Sequence, residues 1–390
     1  MKDRTRVVHP APVEVPADNR PLIAPIYQSV KFSLDDTVQT EQMLRGQRAG
    51  FFYSRQSNPT LRQLEQLLAQ LQGQEDCILT ASGAGAVAVA LTALCKAGDH
   101  ILAFIESYGP TRHMIQKILG RYGVRHTLLP IEDRAGIERV LAETPTRLVM
   151  FESPTNPVTK IADIEYLVGQ AHAHGALAVM DNTFAGFHNH GQFGIDVHIH
   201  SLTKYASGHG DVMGGAILGS RALLKSLRPD IGTLGPTLDP HAAFLLQRGM
   251  RTYFLRYDYQ CASALRVAQF LSAHPKVRRV FHPGLASHPQ HALAARQMKD
   301  FGTVVTFDLD GGLDYGRRFA DALEFFSISA SLGSAESLVM PPSLLGGGEF
   351  TDEQRRHTAI GPGTVRLSIG IEDVDDLIVD LDQALKVAFN

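Results

Sequence analysis

Apolar and polar residues follow alternating helical and strand-like patterns from about residue 60 to residue 220. Leucines at 61, 64, 67, 68 and 71 share one helix face, which predicts an amphipathic helix over 61–71. Short apolar runs predict strands over 77–80, 101–105, 148–151, 176–180 and 195–199, with helices over 83–94, 112–122, 136–143 and 164–173 between them. This alternation favours an α/β fold with a doubly wound, mainly parallel sheet that binds ligands at the carboxyl ends of its strands.

The pattern changes near residue 245 and predicts a smaller C-terminal α/β domain. A long helix is predicted over 244–271, strands over 304–309 and 365–369, a glycine-rich loop over 345–349, and a final helix over 374–387. The first 50 residues contain prolines that argue for an extended arm, namely Pro10, Pro12, Pro16, Pro21 and Pro25. We therefore expect an arm over 1–50 that contacts a neighbouring subunit, a large ligand-binding domain over 51–243 and a C-terminal domain over 244–390.

Composition adds mainly exclusions. The chain has 390 residues, of which 44% are apolar and 20% charged, and a formal net charge of −3. This charge gives no reason to expect binding to nucleic acid or to an anionic membrane. No apolar run approaches the ~20 residues needed to span a bilayer, and the N-terminus lacks an apolar signal segment. Three widely separated cysteines favour free thiols in a reducing compartment, so we expect a cytoplasmic protein.

The segment from His200 to Asp211 carries the most specific chemical signal. Lys204 follows the predicted strand 195–199 and precedes glycines. Ser201 and Thr203, two apart in extended chain, would point the same way and could hold a phosphate together. An amine beside a phosphate site is what pyridoxal 5'-phosphate (PLP) requires, because this cofactor is tethered through a lysine and through its phosphate. Residues 51–243 then form the PLP-binding domain.

Other strand ends supply groups that suit the same cofactor. The glycines of Ala81-Ser82-Gly83-Ala84-Gly85 let backbone N–H groups approach an anion at a helix N-terminus, although a tight turn also explains them. Asp181 would keep a pyridine nitrogen protonated, or would serve only as a turn residue. Asn156, between two prolines, is placed to contact the ring hydroxyl or a substrate carboxylate.

Two arginines are candidates for anion binding. Arg55 can grip a phosphate with two hydrogen bonds and Tyr53 adds a hydroxyl, although both side chains could also be solvated. Arg366 interrupts an apolar strand, where a guanidinium is unfavourable unless it meets an anion. A substrate α-carboxylate or a structural salt bridge would meet that need.

Together these segments resemble the cysteine/methionine-metabolism family of PLP enzymes, which includes cystathionine γ-synthase, the cystathionine β- and γ-lyases, methionine γ-lyase and the O-acylhomoserine sulfhydrylases. The similar segments are Tyr53-Ser54-Arg55 to Pro59-Thr60, Ser82-Gly83, Tyr108-Gly109, Glu152 to Pro157, Asp181 to Ala185, Ser201 to Tyr205 with Gly208-His209 and Asp211, Arg248-Gly249, Pro283-Gly284-Leu285, Ser331-Leu332-Gly333, Glu336-Ser337-Leu338, and Val365 to Ser368.

The resemblance implies the PLP-dependent transferase fold of aspartate-aminotransferase type (fold type I), in a homotetramer of two catalytic dimers. It assigns the covalent link to Lys204 and the pyridine nitrogen to Asp181. The implied phosphate ligands are Ser201, Thr203, the backbone at Gly83 and Ala84, and Tyr53 and Arg55 from the partner subunit. Tyr108 would stack on the ring and protonate the leaving group. The implied substrate contacts are Asn156, Ser331, Arg366 and Tyr53.

Three positions leave the subfamily open. Ala330 stands where cystathionine γ-lyases have glutamate, Leu332 where bacterial β-lyases carry tryptophan, and Pro110 where methionine γ-lyases have cysteine. We expect a lyase that eliminates a γ- or β-substituent from a cystathionine-, methionine- or homoserine-type amino acid. The alternatives are a γ-replacing transferase and a cystathionine β-lyase. Although His198 and His200 alternate on one strand, no acidic or cysteine ligands accompany them, so we expect no metal.

Overall fold

The computed structural model describes residue 19 and residues 21–346 and 357–390. The prolines at positions 10, 12 and 16, and residues 347–349 of the predicted glycine loop, lie outside these described residues. Within the described part, no helix combines the length and apolar character that crossing a membrane requires.

A seven-stranded sheet forms the centre of the larger part of the molecule. Its strands in chain order are β1 (Asp76–Thr80), β2 (His100–Phe104), β3 (Arg125–Leu129), β4 (Leu148–Glu152), β5 (Leu177–Asp181), β6 (Val197–Ser201) and β7 (Gly215–Gly219). Their spatial order is β1-β7-β6-β5-β4-β2-β3. Among these seven strands, β7 runs in the direction opposite to the other six. The predicted α/β fold with a mainly parallel sheet is confirmed.

Helices pack on both faces of this sheet because successive strand residues point to opposite sides. Leu148 and Met150 join the core on the face covered by the helix Gly83–Leu94, whereas Val149 and Phe151 join the core on the face covered by the helix Ile164–Ala173. The helices of this part are α1 (Thr37–Leu44), α2 (Pro59–Gln72), α3 (Gly83–Leu94), α4 (Gly109–His113), a π-helical turn (Met114–Leu119), α5 (Arg134–Glu143), α6 (Ile164–Ala173), α7 (Arg221–Leu234) and α8 (Pro240–Met250).

A second sheet of five strands follows in the C-terminal part of the chain. The elements are α9 (Tyr253–Ala273), β8 (Val277–Phe281), α10 (His291–Gln297), β9 (Val304–Leu309), α11 (Leu313–Ala322), β10 (Ser327–Ile328), β11 (Leu338–Met340), α12 (Ser343–Gly346), β12 (Thr364–Ser368) and α13 (Val374–Ala388). The strand order is β10-β11-β12-β9-β8, and its pairs are antiparallel except β10 with β11. Helices α9, α11 and α13 contribute to the apolar core on this sheet.

Three local predictions were wrong. The single helix predicted over 244–271 is two helices, α8 and α9, because the chain turns where Arg251 N and Thr252 N bond to Arg248 O and Gly249 O. The helix predicted over 112–122 begins earlier, at Gly109, and continues as the π-helical turn. The loop predicted from residue 345 begins later, because residues 345 and 346 end α12.

Candidate active site

Three neighbouring strands of the large sheet end in polar residues at the same edge. β4 ends at Glu152, β5 at Asp181 and β6 at Ser201. Glu152 and Asp181 are register partners in the parallel pair β4–β5. The carboxyl ends of parallel strands form the usual ligand edge of an α/β sheet. The turn that carries Lys204 follows Ser201 directly, so the amine lies at this edge.

Lys204 is half-buried, and its Nζ donates a hydrogen bond to Ser331 Oγ at 2.6 Å. Burial lowers the pKa of this amine to about 8; the charge of Arg366 acts in the same direction, and Asp181 opposes it. A lysine with such a pKa is partly neutral near pH 7, and only a neutral amine attacks a carbonyl or accepts a proton.

Asp181 presents a carboxylate at the end of β5. Its Oδ1 accepts hydrogen bonds from Thr183 N at 3.1 Å and Thr183 Oγ1 at 2.6 Å. Burial raises the pKa of this carboxyl, whereas the two Thr183 bonds and the charge of Lys204 oppose the rise. A cationic ring nitrogen beside Asp181 would stabilise the ionised form.

The N-terminus of α3 approaches the end of β6 without a side chain between them. A Cβ at Gly83 would lie 2.6 Å from the Cβ of Ser201, so only glycine permits this approach. Ser82 caps the helix by accepting a hydrogen bond from Gly85 N at 3.0 Å. The N–H groups of Gly83 and Ala84, as the first in the helix, have no intrahelical partners. With the Ser201 hydroxyl they form a set of donors suited to a phosphate.

Thr203 lies in the turn after β6 and not in extended chain with Ser201. β6 ends at Ser201 and residues 202–207 form a turn, so the extended geometry expected for Ser201 and Thr203 was wrong. Leu202 is fully buried in the apolar core and draws the chain inward. Thr203 Oγ1 accepts a hydrogen bond from Gly214 N at 3.2 Å.

These groups fit the cofactor that the sequence predicts. A helix N-terminus with hydroxyls suits the phosphate, Asp181 suits the ring nitrogen, and Lys204 suits the aldehyde carbon. The glycine at 83 lets the start of α3 lie directly against Ser201, and burial raises the pKa of the Asp181 carboxyl, whose ionised form a nearby cation would stabilise.

Arg366 extends from β12 of the second sheet towards Asn156, which follows β4, and is only 6% exposed. Its Nη1 donates to Asn156 Oδ1 at 3.0 Å and its Nη2 to Ser331 O at 2.8 Å. No carboxylate of the described residues forms an ion pair with it, although burial of a lone cation is unfavourable. Ser331 adopts φ of 107°, an unusual conformation for a residue other than glycine. The geometry favours an external anion over a structural salt bridge.

Tyr53, Arg55 and Tyr108 extend away from the protein interior. The Tyr108 side chain is 47% exposed at the start of α4. Arg55 Nη1 donates to Gly232 O at 2.7 Å. Within the described part of the chain, no hydrogen bond joins Tyr53 or Arg55 to Lys204, Asp181 or Ser201.

Three residues near the site received no individual role from the sequence. Glu152 accepts backbone N–H groups, and Thr183 joins Asp181 to Ser201 N, which donates to Thr183 Oγ1 at 2.8 Å. Arg256 donates to Tyr205 O at 3.0 Å and fills the space where a Cβ at Gly208 would lie. Of these three residues, only Arg256 had a signal in the sequence, because the glycine at position 208 indicates a close neighbour.

The histidines considered for a metal are packed in the core, where His200 Nε2 lies 2.7 Å from Gln72 Oε1.

Comparisons with known proteins show which family and which structures this chain is similar to. The model of the family "Cys/Met metabolism PLP-dependent enzyme" matches residues 4–386. L-methionine gamma-lyase of Pseudomonas putida is 41% identical over 371 residues, covering 94% of this chain and 93% of that protein. The structure of cystathionine gamma synthase from Xanthomonas oryzae pv. oryzae with aminoacrylate and cysteine superposes with a TM-score of 0.88 at 35% identity, covering 94% of this chain and 93% of the other. A Campylobacter jejuni structure described as an O-acetylhomoserine (thiol)-lyase, containing N'-pyridoxyl-lysine-5'-monophosphate, has a TM-score of 0.89 at 31% identity, with coverage of 95% and 96%.

Proposed function

The chain belongs to the Cys/Met metabolism family of PLP-dependent enzymes, and on this premise we propose that it is a lyase acting on γ-substituted amino acids. The substrates are of the cystathionine, methionine or homoserine type. The products are an α-keto acid, ammonia and the leaving group. The family resemblance, the fold class and the cofactor predicted from the sequence are confirmed.

The observation that carries the proposal is that Lys204 and Asp181 lie at one edge of the large sheet, where Arg366 reaches from the small sheet and contacts Asn156 and Ser331. Lys204 would hold the cofactor, Asp181 would pair with its ring nitrogen, and Ser201, Thr203 and the start of α3 would bind its phosphate. When bound, PLP provides a cationic ring that accepts the electron pair left by removal of the α-proton.

The protein side chains bind the substrate and move its protons. Arg366, Asn156 and Ser331 hold the α-carboxylate, which places the α-hydrogen near Lys204. Lys204 Nζ would take the α-proton and would then remove a second proton from Cβ. Because the pKa of the Lys204 amine is lowered, part of it is neutral near pH 7 and can accept these protons. The Tyr108 hydroxyl delivers a proton to the departing group.

Replacement by a thiol is the second candidate. A transferase would form a new thioether from the same intermediate state instead of releasing a keto acid. The relative from Xanthomonas oryzae, which is described with aminoacrylate and cysteine, supports this alternative. A cystathionine β-lyase, which would cleave at Cβ, is the third.

Product analysis with and without a thiol tests these candidates. Purified protein with PLP is incubated with L-methionine, L-cystathionine or an O-acylhomoserine, alone and with cysteine or sulfide. We expect 2-oxobutyrate and ammonia without an added thiol. Pyruvate from cystathionine would indicate the β-lyase. If no keto acid formed without a thiol, and added cysteine gave a thioether or added sulfide gave homocysteine, the lyase would be contradicted and the transferase favoured.

We also propose that the enzyme is a homotetramer of catalytic dimers. Large apolar side chains of the arm and of the residues just after it are exposed in the single chain; those of the arm are Leu22, Ile23, Tyr27, Val30, Val38 and Leu44, and those after it are Phe52 and Tyr53. A row of exposed apolar residues of this kind is typical of a surface covered by another subunit. In the dimer, Tyr53 and Arg55 reach the phosphate of the partner's site.

Mixed oligomers test this shared site. Arg55→Ala and Lys204→Ala damage opposite sides of one site, so a hybrid dimer keeps one intact site. After the two inactive variants are dissociated and reassembled together, we expect about a quarter of wild-type activity to return, because about half the dimers are hybrids with one intact site each. Each variant reassembled alone is the control. No recovery despite proven hybrid formation would contradict the contribution of Arg55 across the interface.

The cytoplasm is the compartment that we propose. All three cysteines are free, and Cys77 is buried in the core. A reducing compartment preserves such thiols.

A further inference from the structure

Glu152 connects two loops of the site through the two oxygens of one carboxylate. Its Oε2 accepts a hydrogen bond from Tyr108 N at 3.0 Å, and its Oε1 accepts one from Asn156 N at 3.0 Å. Tyr108 follows β2, and Asn156 follows β4. The Glu152 side chain is buried, with 7% exposure, so water does not compete freely for these bonds.

The contacts continue from Glu152 to the reactive amine. The side chain of Asn156 accepts from Arg366, Arg366 donates to the carbonyl of Ser331, and the hydroxyl of Ser331 accepts from Lys204. Glu152 thus lies at one end of a hydrogen-bonded series that crosses from the large sheet to the small one. A shift of Asn156 would move the guanidinium that holds the substrate.

We propose that Glu152 is a positioning residue, whose two carboxylate oxygens hold Tyr108 and Asn156 in the places where they contact cofactor and substrate. This inference rests on the proposed function, because only the proposed reaction gives the loops of Tyr108 and Asn156 a catalytic role. The ionised carboxylate offers two strong acceptor oxygens to the two N–H donors, whereas protonation turns one of them into a hydroxyl, which is a weaker acceptor.

The surroundings of Glu152 link its charge to the cofactor. Burial raises the pKa of the Glu152 carboxyl to about 8; Asp181 adds to the rise, while the N–H groups of Asn156 and Tyr108 and the charge of Arg112 oppose it. A cationic ring beside Asp181 would offset the repulsion between the two carboxylates. Cofactor binding and ionisation of Glu152 therefore favour each other.

The kinetic test is Glu152→Gln. The amide offers one oxygen and places an NH₂ donor against the other N–H group, so one loop loses its hydrogen bond. We expect kcat/KM to fall by about 10²-fold, the loss typical of a small misplacement of binding groups. The affinity for L-alanine, which has the α-carboxylate but no leaving group, should weaken as read from the cofactor absorbance. The shorter Glu152→Asp cannot span both donors and should behave alike if the Gln variant does not fold.

Energetic coupling separates positioning from a general loss of stability. Glu152→Gln in an Asn156→Ala background should cause a smaller loss than in the wild type, because that background lacks the Asn156 side chain that Glu152 positions and leaves only the contact with Tyr108 to be lost. Glu65→Gln is the matched control: Glu65 is also 7% exposed, but it lies in α2 and pairs with Arg62 and Arg228. That variant should lower the melting temperature and leave kcat and KM unchanged.

A measurement on the cofactor-free protein needs no turnover. Because the folded protein binds the Glu152 proton more tightly than the usual pKa of 4.5 implies, this group lowers stability as pH rises from 4.5 to 8. The melting temperature of the wild type should therefore fall more between pH 5 and pH 8 than that of Glu152→Gln. The proposal would be overturned if Glu152→Gln kept the wild-type kcat and KM, or if the losses caused by Glu152→Gln and Asn156→Ala simply added in the double variant. A wild-type protein inactive on all candidate substrates would instead contradict the proposed function.

Discussion

Replacing Lys204 with alanine should lower kcat by at least about 10³-fold, because removal of a general acid–base group alone accounts for about 10²–10⁴-fold. The same change removes the amine that attaches the cofactor, so the visible absorbance of the protein should shift to that of free PLP. We expect so large an effect because the Lys204 amine lies at the sheet edge, where it donates to Ser331 Oγ and is influenced by the charge of Asp181. Steady-state kinetics and an absorbance spectrum of each protein measure both effects.

The control for this variant is an ordinary lysine. Lys225 lies exposed in α7, and Lys225→Ala should keep both the absorbance and the turnover. If added methylamine restored part of the activity of Lys204→Ala, the amine would be the missing group. Full turnover by Lys204→Ala without any added amine would contradict the assignment.

Replacing Arg366 with alanine should produce the second large loss, in the binding of the substrate carboxylate. Truncating one partner of a buried charge pair costs about 2–5 kcal/mol, that is roughly 30- to 4,000-fold in kcat/KM. Arg366→Lys should recover little, because an ammonium group cannot make the paired contacts to Asn156 and Ser331. Kinetics with the substrate found in the product analysis measure the loss.

Stability separates substrate binding from a structural role for Arg366. Its guanidinium is buried without a carboxylate partner among the described residues, so its removal should leave the melting temperature of the cofactor-free protein equal or higher. A substrate analogue that lacks the α-carboxylate should be affected little by Arg366→Ala. A strongly lowered melting temperature with unchanged kinetics would show that Arg366 is structural.

The sequence predicted those parts of the fold in which local pattern and tertiary structure agree. Helices Gly83–Leu94 and Ile164–Ala173 and strand Val304–Leu309 were predicted at their observed bounds. Strand β7 was not predicted, because glycines at both ends of a short apolar run resemble a loop. Strand β3 was not predicted either. It begins with Arg125-His126 and lies at the sheet edge, where burial imposes little apolar pattern.

The site was predictable where its residues follow one another in short segments. Asp181 and Lys204 stand in such segments at strand ends, and their side-chain chemistry indicates a cofactor. The contacts of Glu152 with Tyr108 and of Arg256 with Tyr205 join residues far apart in the chain. Such pairs depend on the register of neighbouring strands and on helix packing, which hydrophobic periodicity does not determine.

The attachment of PLP to Lys204 is the claim on which the account depends, and one experiment tests it directly. Purified protein is loaded with PLP, treated with borohydride to make the link to the amine permanent, and digested for peptide mass analysis. The account predicts the pyridoxyl mass on the peptide that contains Lys204, with loss of the visible absorbance on reduction. A pyridoxyl group on a different lysine, or none on a protein that still turns over its substrate, would contradict it.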